Sequence, residues 1–84
     1  MAKTYFPNSE KTIRVIASEP HPAGTKYKIS MGIEIWGGDV GHEVIKIQME
    51  YNDVVSGRRS PSYPIGTDDY KRVMKAVMSF LKVL

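Results

Sequence analysis

The residues that could do chemistry in this 84-residue chain are few: two histidines, one pair of adjacent aspartates and a single tryptophan. His42 stands beside Glu43 and near Asp39, and would form a weak metal site only if a loop carried His21 to it. Isolated loop histidines are ordinarily solvated, and the spacing does not supply the converging ligands a metal needs, so no metal is expected. Asp68 and Asp69 are paired only in sequence. Neighbours on a helix point about 100° apart, and carboxylates in a first turn offset the helix dipole. There is no Gly-x-Ser-x-Gly elbow and no His-Glu-x-x-His. Gly32 and Gly37 have the separation of a phosphate-binding loop, but Gly38 stands where that loop requires lysine. The chain has no cysteine, hence no thiolate nucleophile, zinc–sulfur site or disulfide. No catalytic residue and no cofactor is expected, and the chain is read as non-enzymatic.

Binding chemistry is better represented. Three strands, described below, place Arg14, Lys28, Lys46, Glu34, Gln48, Glu50 and Trp36 on one polar sheet face. Cations interleaved with an aromatic ring suit single-stranded nucleic acid, where rings stack on bases and cations follow phosphates. Arg58 and Arg59, in a turn, could add to it, and Tyr5 or Phe6 could stack. The competing expectation is that Gly37-Gly38 bends the chain and Trp36 caps an edge of the core. The side on which Trp36 lies decides between them. A second surface is offered by the helix, whose apolar residues extend beyond a narrow stripe. There Met78, Leu81 and Leu84 are the expected contacts for a protein partner or a second copy.

These residues depend on elements marked by periodicity. Tyr27, Ile29, Met31, Ile33 and Ile35 alternate with Lys28, Ser30, Gly32 and Glu34, and Ile45, Ile47, Met49 and Tyr51 alternate with Lys46, Gln48 and Glu50. A period of two puts each apolar set on one face of a strand. Glycine-rich residues 37–41 make the hairpin between them. Thr12–Ala17 reads as a shorter strand and, being free of proline, as the open edge. Asn52-Asp53 reads as a turn after which Val54-Val55 could resume the strand. Ser62–Ile65 is the expected fourth strand, at an edge because Pro61 and Pro64 lack donors. Thr67 is the expected N-cap of a helix over about 67–83. There Tyr70, Val73, Met74, Val77, Leu81 and Leu84 recur at helical spacing opposite Lys71, Arg72, Lys75 and Lys82.

The expected fold is α+β: a four-stranded antiparallel sheet in ββββα order, with one C-terminal amphipathic helix packed on one face. A length of 84 residues suits one domain over 1–84, small enough that self-association would help it, so a homodimer is an expectation. The element order is similar to that of PC4-like single-stranded DNA-binding domains. That resemblance, of topology alone, implies a helix-mediated dimer with contacts at Leu81 and Leu84 and a sheet that meets the strand. The net charge is only +3, and the excess sits at the two ends of the chain: +3 over residues 1–28, −2 over 29–66 and +2 over 67–84. Nucleic-acid binders often carry a stronger bias. The leading expectation is therefore a small regulator or inhibitor acting by protein–protein contact, with single-stranded nucleic acid second. No apolar run approaches a membrane span or a leader, so no membrane partner and a cytoplasmic location are expected.

Overall fold

The computed structural model describes residues 4–38 and 40–81. The strands are β1 (Tyr5–Ile16), β2 (Thr25–Ile35), β3 (Gly41–Tyr51) and β4 (Val54–Val55), and the helix is α1 (Asp69–Leu81). The strands form one antiparallel sheet in the order β1-β2-β3-β4, and α1 packs on one face of it, an α+β fold. The two alternating runs are β2 and β3. Their register sets Tyr27 against Met49, Ile29 against Ile47 and Met31 against Ile45, so apolar side chains pair with apolar ones on the helix side.

β1 begins earlier than Thr12, because Tyr5 and Phe6 pair with Glu34 and Ile33. Pro7 faces Gly32 but Thr12 faces Ser30, so residues 8–11 leave the ladder as a bulge. Its turn is tied by Asn8, whose Oδ1 accepts the Glu10 N–H and whose carbonyl accepts the Thr12 hydroxyl. The expected fourth strand is corrected. Ser62–Ile65 is not a strand; β4 is the two-residue Val54–Val55. It follows a two-residue turn in which Asn52 and Asp53 both take positive φ (49° and 68°), the type I′ geometry that suits a tight hairpin. The 62–65 segment crosses the helix side instead, where Tyr63 stacks on Tyr27 at 5.1 Å.

Tyr27, Ile29, Met49, Val73 and Ala76 form the buried core. The helix starts at Asp69, with the Asp68 carbonyl accepting the Arg72 N–H (3.0 Å). Thr67 lies one residue before that carbonyl; its hydroxyl donates to the Pro64 carbonyl (2.8 Å) and its oxygen accepts the Asp69 N–H at 3.4 Å, a long version of the expected cap. The expected helix end at residues 82–83, and Leu84, lie outside the described residues.

Asp69 is the buried centre of the polar structure. Its carboxylate accepts the Ser18 N–H (2.9 Å), the Ser18 hydroxyl (2.5 Å), the Tyr27 hydroxyl (2.8 Å) and Arg72 Nη2 (2.6 Å). Arg72 continues to the Ile16 carbonyl (2.9 Å). Burial pushes the Asp69 carboxyl up, but the bonds from Ser18, Tyr27 and Arg72 outweigh it and hold it well below the ordinary carboxylate range. A depressed value means the fold holds the ionised form. That stabilisation is complete above about pH 4, the unfolded carboxylate value, and is lost as pH falls toward the folded one. Asp69→Asn is expected to cost about 3–5 kcal/mol at pH 7, because it leaves a buried partner set without its anion. Urea unfolding measured from pH 7 to pH 2 should also show a flatter acid limb in this variant than in the parent.

Candidate binding surfaces

The face turned away from α1 carries the even-numbered residues of β2 and β3 with their β1 partners. Trp36, just after β2, is 61 % exposed, so it does not cap the core. Its Nε1–H donates to Glu34 Oε1 (3.0 Å), and its ring stacks on His42 at 5.3 Å. The second Glu34 oxygen accepts the Lys46 ammonium, and that bond, set against partial burial, lowers the carboxyl below its usual value. Lys46 in turn lies 4.9 Å over the Tyr5 ring, whose hydroxyl meets Ser30 Oγ at 2.7 Å. A line of side chains thus runs Trp36–Glu34–Lys46–Tyr5–Ser30 along the face.

Much of this face is already occupied. Tyr5 is buried although it lies on the polar side, because Gly32 leaves room for it and for the strand that carries it. A Cβ on Gly32 would meet the Phe6 carbonyl, and would lie 2.7 Å from Pro7 Cα and 3.0 Å from the Tyr5 hydroxyl. Phe6 turns to the helix side and is exposed. Arg14 reaches across β2 to the buried Glu50 (3.0 Å), and Lys26 meets Asp53 at 3.5 Å. Among the described residues, Lys28 is the cation of this face without a carboxylate partner. Arg58 and Arg59 lie beyond β4, at the end of β3 opposite Trp36. The Arg59 guanidinium sits 5.6 Å over Tyr51, on the helix side, and the Arg58 N–H bonds Ser56 Oγ. The six residues expected to hold nucleic acid are therefore not one site: Trp36, Lys46, Lys28 and Arg14 share a face, and Arg58 and Arg59 do not join them.

On the helix side, Met78 is 54 % and Leu81 39 % exposed. Arg72 ties the polar flank of α1 to the end of β1. Helical spacing then puts Tyr70, Met74, Leu81 and Met78 on the opposite flank, toward β3. Beneath and beside that flank Ile45 and Ile47 are only half-buried, and Ile33 and Phe6 are exposed. These make an apolar surface that α1 leaves uncovered. Leu84 lies outside the described residues.

The histidines do not meet. His21 Nε2 lies 2.9 Å from the Ser62 carbonyl in the β1–β2 loop, at the other end of the sheet from His42. Among the described residues no three His, Asp or Glu side chains cluster as metal ligands, and no helix is long and apolar enough to cross a membrane. The Asp69 cluster and the buried Tyr5 escape sequence reasoning. An unusual Asp-Asp at a helix start and a glycine inside an alternating strand are the only signals they leave. No family model, curated protein or solved structure matches this chain. Gly32→Ala is expected to displace β1 or Tyr5 and destabilise the fold by about 1–3 kcal/mol, as overpacking does; thermal unfolding followed by tyrosine emission measures it.

Proposed function

We propose that this chain is a non-enzymatic protein-docking module, a small regulator or inhibitor that binds through its helix-side apolar surface. One observation carries the reading: Met78 and Leu81 extend the apolar flank of α1 into solvent beside half-covered Ile45 and Ile47. A chain that only had to close its own core would gain from polar residues at 78 and 81. Burial of each such apolar side chain on docking is worth about 1.5–3 kcal/mol, and methionine adapts its shape to a partner. The test is a photo-crosslinking amino acid placed at Met78 or at Ile16, which is exposed on the sheet face turned away from α1. In extract from its own cells, a discrete protein adduct, a second copy included, is expected from position 78 and not from 16. Equal labelling, or none, counts against the reading.

A second reading rests on Trp36. Its exposure on the open face, with His42 stacked against it, supports base stacking, and Lys28 and Lys46 would meet phosphates. The carboxylates that hold Lys46 and Arg14 weigh against it, since a phosphate would have to displace them. Titration with a mixed single-stranded oligonucleotide should quench Trp36 emission under this reading. The affinity should fall with salt at a log–log slope of about −0.7 per neutralised phosphate. Unchanged emission at low salt removes it.

A further inference from the structure

We infer that the partner of the helix-side surface is a second copy of this chain, joined through the free outer edge of β3. This rests on the docking reading above and gives it an occupant. β3 spans eleven residues, yet only Glu50 and Tyr51 pair with β4. The Met49 carbonyl accepts the Ser56 N–H (2.9 Å), so the backbone groups of Met49 point outward, away from β2. Backbone groups alternate sides along a strand, which sends those of Gly41, Glu43, Ile45 and Ile47 to the same side. Among the described residues no strand of the sheet lies there. The other edge is blunted: Pro7 lacks a donor and residues 8–11 bulge out, both of which resist strand addition. β1, the edge expected from sequence to be open, is blunted over residues 7–11 and open over the shorter stretch Thr12–Ile16. The free stretch of β3 contains neither device.

A row of unpaired donors and acceptors is a template for another strand, and this row fits its own copy. Antiparallel pairing of Gly41 with Ile47 and of Glu43 with Ile45 of the second copy uses every free group. It makes about eight hydrogen bonds around a two-fold axis beside Val44. Neighbouring registers do worse. A slip of one residue would set free backbone groups against ones already bonded to β2. An axis at Ile45 would leave Gly41 without a mate, because Ser56 already covers Met49, and so makes about six bonds rather than eight. An axis at Lys46 would set two ammonium groups opposite each other, and one further along would run into Val54–Ser56. In the favoured register His42 opposes Lys46 of the second copy, and both helices lie on one face of the joined sheet. Their apolar flanks, with Met78 and Leu81, then face each other over the paired β3 strands.

The molecule's shape agrees. A compact 9.5 kDa chain exposes about 5,000 Å², whereas this one exposes 6179 Å². The excess, roughly 1,100 Å², is more than the 800 Å² or so that each partner gives up in a standard interface. The radius of gyration, 13.5 Å, is likewise above the roughly 12 Å of a compact chain of this length.

The absence of cysteine makes the register directly testable. Val44 would face Val44 of the second copy as a non-hydrogen-bonded pair, with Cα atoms about 4.5 Å apart, within disulfide reach. Residue 48 would be about 26 Å from its own mate at 3.3 Å per residue. Sedimentation velocity of the parent chain should give twice the chain mass. Mild oxidation should link V44C, and not Q48C, into a covalent dimer with unchanged circular dichroism. A parent that sediments at single mass at 100 μM, roughly, overturns the second copy; if Met78 then crosslinks a different protein, the docking reading stands, and if it crosslinks nothing, both fall. Doubled mass without closure of V44C overturns the β3 pairing centred on Val44.

Discussion

The carboxylate of Asp69 is where separate parts of the chain are joined. It gathers Ser18 from the β1–β2 loop, Tyr27 from β2 and Arg72 from its own helix, and Arg72 adds the carbonyl at the end of β1. An anion this buried is costly unless each lone pair is met, and here four donors meet it. The arrangement fixes the rotation of α1 as well as its position. With Arg72 held at the β1 side, Val73 and Ala76 must point into the core, and Tyr70, Met74, Met78 and Leu81 must spread toward β3. The uncovered apolar surface is thus a geometric consequence of the polar anchor.

Much of this architecture is legible in the residues because β2 and β3 alternate cleanly, and their apolar positions meet in register. The helix is equally plain from its spacing. The fourth strand is misread for a specific reason. Tyr63 and Ile65 alternate as a strand would, but Tyr63 is held by stacking on Tyr27 and Ile65 is fully exposed. The real β4 is two valines after a tight turn, too short for periodicity to register. The first strand is half seen, because Pro7 and four polar residues interrupt it. The start of α1 falls two residues later than Thr67 suggests, because the Asp68 carbonyl accepts the Arg72 N–H while the Thr67 oxygen accepts the Asp69 N–H only at 3.4 Å.

The candidate surfaces were less legible. Parity correctly assigns Trp36 to the polar face, but which cations there are free depends on contacts that cross a strand. Arg14 reaches Glu50 over β2, and Lys46 finds Glu34, so the face is largely neutralised from within. Asp69 reads as a dipole partner in sequence, since the serine it holds lies 51 residues away. The free edge of β3 is invisible for the same kind of reason: only knowing how short β4 is reveals that most of β3 lacks an outer neighbour.

The length of the Asp69–Ser18 link also decides what a local opening releases. Each strand pairs with its neighbour in sequence. The helix is held differently, for its anchor bridges 51 residues and has nothing to grip unless the β1–β2 turn places Ser18 beside Tyr27. Opening that turn therefore loosens α1 as well. It would bare Tyr27, Ile29 and Met49 beside an open strand edge, the two features that make a partly folded chain adhesive.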